Sequence, residues 1–339
     1  MATTISAQSV ISSAKNFFES FLADNYAFIN STELVHWMNV VIAENNELDS
    51  FIKIRNINET CDRLVEKIIQ VKDTDRDMIY AYLSNLSEEE ITILYYKNNI
   101  LEFMNDHKIM QELVYTILSN IQNLEKVDIK NPDPSIDLQG MSPKDWNKYV
   151  EKEYFMDPNS VPNSIKHELE LFKKYIMKYV FTKYLSFDRI YRLRNFKRRV
   201  VTVIDTDSNI LSVDIFINWI LKHVVKGETF GRDFQHNSFI MINTITYVIT
   251  DAIEQIMLFY GEKSNIPKEY RPKYSMKNEF FMCLLVIGLT KKRYISKILL
   301  REGNLMNPPK QDIKGLNERS HIKKFILENK VNCWKRLRA

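Results

Sequence analysis

Two short apolar runs on either side of a polar tetrapeptide constrain the fold of this chain more than any other feature. Residues 200–204 read Val-Val-Thr-Val-Ile, and residues 209–213 read Asn-Ile-Leu-Ser-Val. β-Branched side chains favour strands, and the four residues between the runs, Asp-Thr-Asp-Ser, are enough to reverse the chain. The sequence therefore predicts an antiparallel hairpin with two carboxylates at its tip, which excludes an all-helical fold.

The rest of the chain has mostly helical periodicity, with two further strands towards the C-terminal end. Apolar residues recur at intervals of three, four and seven through residues 5–22, as on one face of a helix. Strands are predicted at residues 279–288 and 293–300, joined through Leu-Thr-Lys-Lys. Further helices are predicted at residues 31–41, 61–71, 77–83, 88–97, 106–123, 165–185 and about 239–260. The predicted fold class is α+β, a small antiparallel sheet backed by helices, with a large, mainly helical N-terminal region.

Composition limits the class of protein further. Only 7 of 339 residues are glycine, which argues against glycine-rich phosphate loops and doubly wound nucleotide folds. The formal net charge of +4 permits nucleic-acid binding without requiring it. Cys61, Cys283 and Cys333 are too far apart in sequence for a metal site, so free thiols in a cytoplasmic compartment are expected. The longest apolar run, residues 280–289, is well short of the roughly 20 residues of a membrane span, so no membrane association is expected.

The carboxylate pair in the predicted hairpin suggests a chemistry. Asp205 and Asp207 are two residues apart, so in extended chain both side chains point the same way. Oxygen ligands with no histidine or cysteine nearby favour Mg²⁺ or Mn²⁺, and the natural chemistry is phosphoryl transfer with two metal ions. Asp-x-Asp is common in ordinary exposed turns. The apolar runs that flank it here are what favours a functional site over such a turn.

Three segments resemble motifs of the family B DNA polymerases. Residues 203–208, Val-Ile-Asp-Thr-Asp-Ser, resemble the third polymerase motif. Residues 290–294, Thr-Lys-Lys-Arg-Tyr, resemble the Lys-Lys-x-Tyr motif, and residues 312–316, Asp-Ile-Lys-Gly-Leu, resemble the Lys-Gly element where palm passes into thumb. The three occur in family order. The likeness covers residues 196–320 well and residues 1–40 loosely, as a segment that follows the fingers motif, and it leaves residues 45–190 unmatched.

The resemblance implies a role for each matching residue. Asp207 would be a direct ligand of both metal ions, Asp205 would lie beside them, and Ser208 would support the turn. Tyr294 would press towards the primer or the minor groove. The residues that would contact the primer-template are Lys291, Lys292, Arg293, Tyr294, Lys314 and Gly315. On this likeness the small sheet is of palm type, and the substrates are primer-template DNA and deoxynucleoside triphosphates.

The chain also departs from the family pattern. Ile204 stands where glycine usually precedes the first aspartate, and Asn317 stands where an acidic residue commonly follows Lys-Gly-Leu. The first polymerase motif, the fingers motif and the exonuclease domain have no recognisable counterpart, and one carboxylate hairpin cannot complete a two-metal site. The resemblance therefore predicts one piece of a split polymerase, a division most familiar in large bacteriophages. Partner chains would supply the exonuclease, the first palm motif with its metal-binding aspartate, the fingers and the rest of the thumb, and this chain alone would be inactive.

The predicted organisation has four parts. Residues 1–44 are helices leading from fingers into palm, and residues 45–195 are a helical insertion of unknown role. Residues 196–305 are the palm with its metal hairpin, and residues 306–339 begin the thumb.

Two other functions remain open from the sequence. A haloacid dehalogenase-like phosphatase also ends an apolar strand in Asp-x-Asp, with Asp205 as nucleophile and Asp207 as acid/base. Alternating β-α units, which that fold needs, are not apparent in the sequence. A non-catalytic assembly subunit is the other alternative, in which the aspartates are a relic and the helical region is the working surface.

Overall fold

A computed structural model describes most of the chain. The described residues are 14–15, 17–22, 28–44, 47–120, 161, 163–183, 200–204, 209–230, 234–273, 279–288, 293–301 and 304–314. The chain divides into two compact units. One comprises residues 1–123 and 163–276, and the other comprises residues 124–162 and 277–339.

The first unit is mainly helical. Residues 14–15 and 17–22 are helical and buried. The helices that follow are α1 (Ser31–Ala43), α2 (Ile57–Val65), α3 (Asp73–Leu83), α4 (Glu88–Tyr96), α5 (Ile100–Asp106), α6 (Lys108–Asn120), α7 (Lys166–Tyr175), α8 (Asp214–Ile220) and α9 (Phe234–Lys263). π-Helical turns, Ile176–Val180 and Leu221–Val225, extend α7 and α8, and the 3₁₀ helix Lys268–Lys273 follows α9. No helix in the described part of the chain is long and apolar enough to cross a membrane.

Side-chain caps explain where several of these helices begin. The Asn30 side chain accepts a hydrogen bond from the Glu33 backbone N–H, and the Glu33 carboxylate accepts one from the N–H of Ile29. At the start of α4 the Ser87 hydroxyl accepts from the Glu90 N–H, and the Glu90 carboxylate accepts from the N–H of Ser87 itself, which makes a capping box. Each arrangement satisfies backbone donors that have no partner within the helix.

Helices α1 to α4 enclose a hydrophobic core. Trp37 and Met38 of α1 are buried there against Leu64 of α2 and Leu94 of α4. Helix α2 ends at Val65, earlier than its periodicity predicts, because the residues that follow it pair with the backbone of Phe28. Phe28 donates a backbone hydrogen bond to the Lys67 carbonyl (2.6 Å), and its own carbonyl accepts one from Ile69 (2.7 Å).

A buried polar corner joins α4 and α5 to the end of α7. Asn98 has a left-handed backbone (φ 58°), and its N–H donates to the Val180 carbonyl at 2.8 Å. The ammonium group of Lys97 donates to the carbonyls of Lys178 (3.0 Å) and Phe181 (2.8 Å). Burial lowers the pKa of Lys97 to about 8. This lysine closes the π-helical turn that extends α7.

A second buried network surrounds Arg55. Its guanidinium pairs with Asp106, donates to the Tyr96 hydroxyl at 3.1 Å and lies 4.3 Å from the centre of the Tyr95 ring. Tyr96 in turn donates to Asp106 at 2.9 Å. A buried cation is retained at low cost only when it is paired and hydrogen-bonded, and here it is both.

His107 lies beside this network with its ring against three aromatic rings. Its side chain packs on Phe51, Tyr96 and Phe103, with ring centroids 4.8 to 5.6 Å apart, and 3% of the residue is exposed. Burial, and then the charge of Arg55, lowers the pKa of His107 to about 4. The imidazole is therefore neutral at physiological pH.

Both sheets in the described residues are small and antiparallel. In the first unit, β1 (Val201–Ile204) pairs with β2 (Asn209–Leu211). In the second, β3 (Phe280–Ile287), β4 (Tyr294–Arg301) and β5 (Asn304–Lys314) form a sheet in that order. The α+β fold class and the four predicted strands are confirmed. The strands lie in two sheets rather than in the single sheet that was expected.

Strand β5 was not predicted, because Asn-Pro-Pro-Lys reads as a loop. Its pairing with β4 is interrupted between Ile298 and Leu300, whose partners are Lys310 and Leu305. Pro308 and Pro309 fall in this irregular part of an edge strand, where a missing backbone N–H removes no ladder hydrogen bond. The chain after β4 therefore forms a third strand, which pairs with β4 from Asn304 onwards. Cys61 and Cys283 are free thiols as expected, and Cys333 lies outside the described residues.

Candidate metal-binding hairpin and nucleic-acid interface

The β1–β2 hairpin places the ends of the Asp-Thr-Asp-Ser segment side by side. Ile204 and Asn209 are paired across the two strands, and the Ser212 N–H donates to the Val200 carbonyl at 2.7 Å. Asp205, Asp207 and Ser208 themselves lie outside the described residues. Both flanking residues are at the same end of the hairpin, so the predicted hairpin is confirmed while its tip geometry stays a prediction.

Strand β1 carries an extra residue just before the tip. Val201 pairs with Leu211, but Val203 pairs with Ile210, so Thr202 is a bulge. The Thr202 hydroxyl donates to the Ile210 carbonyl at 2.8 Å. A bulge bends the strand and re-aims the side chains that follow it. The one in β1 lies three residues before Asp205.

Glu19 holds the outer edge of β1. Its carboxylate is buried, with 2% of the residue exposed, and it accepts hydrogen bonds from the N–H groups of Val201 (2.8 Å) and Val200 (3.3 Å). Because the Val200 carbonyl faces β2, strand alternation turns the Val201 N–H to the opposite edge. Glu19 therefore supplies the acceptor that a neighbouring strand would otherwise provide.

The sequence analysis did not single out Glu19. It lies in a helical segment, residues 17–22, in which every side chain is buried. A glutamate in an amphipathic helix usually faces solvent, and its spacing here gives no contrary sign. Only its contact with a strand nearly two hundred residues later identifies it.

The chemistry of the hairpin tip fits a hydrated divalent cation. Asp205 and Asp207 offer oxygen ligands, the type that Mg²⁺ and Mn²⁺ prefer. Asn209, the first described residue after the tip, has both polar atoms of its side-chain amide buried without a hydrogen-bond partner, so this amide is a free polar group at the same end of the hairpin. Within the described residues no three His, Cys, Asp or Glu side chains are grouped as metal ligands.

In the second unit, a short connection between β3 and β4 holds the basic motif. The Gly288 N–H donates to the Arg293 carbonyl at 2.7 Å and closes the connection. A Cβ at Gly288 would lie 3.1 Å from the Cβ of Arg293 and 3.2 Å from its carbonyl oxygen, so the position favours glycine. Arg293 is exposed, and Lys291 and Lys292 lie outside the described residues.

The three-stranded sheet brings two of the predicted motifs together. Tyr294, which opens β4, is the direct partner of Lys314, which ends β5. Directly paired residues share a face, so the phenol ring and the exposed ammonium group lie on one side of the sheet. Gly315 lies outside the described residues.

One further basic residue joins this face. Lys310 is exposed and four residues before Lys314 on the same strand, so both point to the side of Tyr294. The half-buried Asp312 lies between them. The sequence analysis did not single out Lys310, because the two prolines before it argue against a strand at this position. An aromatic ring with one ammonium group on the neighbouring strand, and a second four residues further along the same face, suits contact with a phosphate backbone.

Comparison with known proteins identifies the class and then the family. The antiparallel sheets, the hairpin around Asp-Thr-Asp-Ser and the Lys-Lys-x-Tyr strand are those expected of a nucleotidyltransferase of polymerase kind. The family model for the divergent family B DNA polymerases matches residues 53–332, and the chain belongs to that family. No curated protein and no solved structure matches the chain.

The matched range differs from the range of the motif resemblance. It includes both hairpins and Lys314, and also the helical residues after position 53 that the motifs left unassigned. The segment 1–40, with its loose likeness and Glu19, lies outside it. The phosphatase alternative loses its support, because the chain belongs to a polymerase family and every strand ladder in the described part is antiparallel.

Proposed function

We propose that this chain is a DNA polymerase subunit that contributes Asp205 and Asp207 to a two-metal nucleotidyl-transfer site. The observation that carries the proposal is the paired hairpin around these aspartates within a chain of the divergent family B DNA polymerases. Asp207 is the direct metal ligand, Asp205 lies beside it, and Ser208 supports the turn. Two bound Mg²⁺ or Mn²⁺ ions would stabilise the attacking and leaving oxygens of the displacement.

The second unit contacts primer-template DNA. Lys291, Lys292 and Arg293 meet the phosphate backbone at the β3–β4 connection. Tyr294 and Lys314, paired on adjacent strands, continue this contact along the sheet, and Gly315 follows Lys314 directly. Phosphate contacts of this kind position a duplex without reading its sequence, as a polymerase requires.

Synthesis depends on partner chains. A two-metal site needs a carboxylate besides those of one hairpin, and the described residues offer no further group of metal ligands. We propose that partners carry the first palm motif with its aspartate, the fingers, the exonuclease and the rest of the thumb. A large bacteriophage remains the predicted source.

Purification of a tagged chain from its native source tests this function. Polypeptides with the missing motifs should co-purify, and the assembly should extend a primer with Mg²⁺ and deoxynucleoside triphosphates. Asp207→Ala should abolish synthesis while the composition of the assembly stays the same. Asp214→Asn, which changes an exposed carboxylate in the first turn of α8, is the matched control and should extend at the wild-type rate. The purified single chain should not extend the primer.

One observation favours a second function. Ile204, the last residue of β1, is a β-branched residue where the resemblance expects glycine. A non-catalytic assembly subunit would have such a hairpin only as a structural element. Wild-type synthesis by an assembly that contains Asp207→Ala would establish this function and exclude the proposed one.

A further inference from the structure

We propose that Glu19 is a positioning residue that fixes the register of the β1–β2 hairpin and so the aim of Asp205 and Asp207. The inference rests on the proposed function of that hairpin. It concerns a residue outside the range that the family model matches. Glu19 itself touches neither substrate nor metal in this account and acts through the backbone of β1.

The first step of the argument is the burial of the Glu19 carboxylate. A carboxylate removed from water is costly unless it is hydrogen-bonded. This one accepts from two consecutive backbone N–H groups, of Val200 and Val201, at the point where the chain enters β1. Without Glu19 both N–H groups would be buried donors without this acceptor, since Val200 and Val201 are themselves buried. The buried carboxylate therefore needs these two N–H donors, and the start of β1 needs the carboxylate as their acceptor.

The second step is the weakness of the hairpin without such an anchor. Only three residue pairs join β1 and β2, and one of the two strands carries the bulge at Thr202. An isolated two-stranded hairpin is marginal in water. A one-residue shift of pairing turns every side chain to the opposite face. An anchor on Val201, immediately before the bulge, prevents the bulge from moving along β1.

The third step connects register to chemistry. Ile204 leads directly into Asp205, so a one-residue shift of β1 would carry Asp205 and Asp207 to the face opposite the one on which they would hold the metal ions. Displacement of a catalytic group by about 1 Å can cost on the order of 10²-fold in rate. The variant should therefore bind Mg²⁺ more weakly and also react more slowly. A general loss of stability would not weaken Mg²⁺ binding in this way.

Three substitutions at position 19 separate geometry from charge. Glu19→Gln keeps an acceptor oxygen at the same reach and removes the charge. Glu19→Asp keeps the charge and withdraws the oxygen by one methylene, and Glu19→Leu removes the acceptor. Thr92→Val is the control for stability, because it deletes another buried acceptor, for the Arg55 N–H at 2.9 Å, in the helical part of the same unit.

Each variant is incorporated into the full assembly, and primer extension is measured against Mg²⁺ concentration. Hydrogen exchange of residues 200–211 is followed in parallel. Glu19→Asp and Glu19→Leu should raise the Mg²⁺ concentration for half-maximal rate, slow extension on the order of 10²-fold and expose β1 to exchange. Glu19→Gln should behave as wild type, and Thr92→Val should lower thermal stability with an unchanged Mg²⁺ requirement.

The outcomes distinguish this inference from the proposed function. If Asp207→Ala abolishes synthesis while Glu19→Asp and Glu19→Leu keep the wild-type rate and Mg²⁺ requirement, the positioning role is overturned and the proposed function stands. If Asp207→Ala extends normally, both are overturned. Should Glu19→Leu fail to enter the assembly, Glu19→Asp decides the question, since it preserves the charge and changes only the reach.

Discussion

Replacement of His107 by phenylalanine should remove an acid sensitivity of the helical unit. The ring is buried against Phe51, Tyr96 and Phe103, and phenylalanine can occupy nearly the same space. The substitution deletes a titrating group and one hydrogen bond to the Phe51 backbone. Loss of that hydrogen bond should cost about 1 kcal/mol at every pH.

The pH-dependent part follows from the lowered pKa of His107. Its pKa is about 4 in the folded chain and 6.5 in the free side chain. As the pH falls, the unfolded chain therefore binds the proton first. The stabilisation is complete above pH about 6.5 and is lost progressively towards pH about 4. The full difference is about 3 kcal/mol, of which about 2 kcal/mol should disappear between pH 7 and pH 5.

Urea denaturation of the full chain at a series of pH values measures this effect. The free energy of unfolding of wild type minus that of His107→Phe cancels the contributions of the carboxylates common to both. This difference should shrink by about 2 kcal/mol from pH 7 to pH 5. Parallel pH profiles for the two proteins would refute the reasoning, because they would mean that His107 accepts a proton in the folded state as readily as in the unfolded one.

Two other predictions concern the buried cation and the sheet. Asp106→Asn should lower the free energy of unfolding by about 3 kcal/mol, since it leaves Arg55 buried without its counter-charge. Glu59→Gln removes the exposed carboxylate that also pairs with Arg55, and it should change the free energy of unfolding by less than about 0.5 kcal/mol in the same denaturation assay. Lys314→Met in the assembly should weaken primer-template binding equally for all sequences and reduce the slope of log Kd against log salt by about 1, which a filter-binding titration over salt concentration would check.

Local chemistry explains which elements could be predicted from the sequence. The hairpin followed from two β-branched runs with four polar residues between them, and β1 and β2 lie within those runs. Helix α4 begins at Glu88, where the sequence pattern predicts it, and the capping box at that start involves only the residues from Ser87 to Glu90. In both cases the residues that decide the structure are neighbours in the chain, so the pattern contains the necessary information.

Contacts between distant segments explain the differences. Helix α2 ends at Val65 because Phe28 pairs with the backbone around Ile68, and no local pattern announces that bridge. Strand β5 tolerates Pro308 and Pro309 only because its partner strand leaves an irregular stretch opposite them. The role of Glu19 depends on a strand that is remote in sequence. Each of these depends on tertiary packing that overrides local preference.

The candidate site was predictable in its residues but not in its assembly. The motifs identified Tyr294 and Lys314 separately, and only the register of β4 and β5 showed that they are partners. The carboxylates Asp205 and Asp207 came from resemblance together with hard-ligand chemistry, and both lie outside the residues that the structure describes.

The most direct measurement is single-turnover nucleotide incorporation by the assembly with Asp207→Cys, compared in Mg²⁺ and in the thiophilic ion Cd²⁺. A thiolate is a poor ligand for Mg²⁺ and a good one for softer ions. The account predicts a loss on the order of 10³-fold in Mg²⁺ and partial recovery when Cd²⁺ is added. Incorporation by Asp207→Cys at the wild-type rate in Mg²⁺ would contradict it, because no metal ligand would then have been lost.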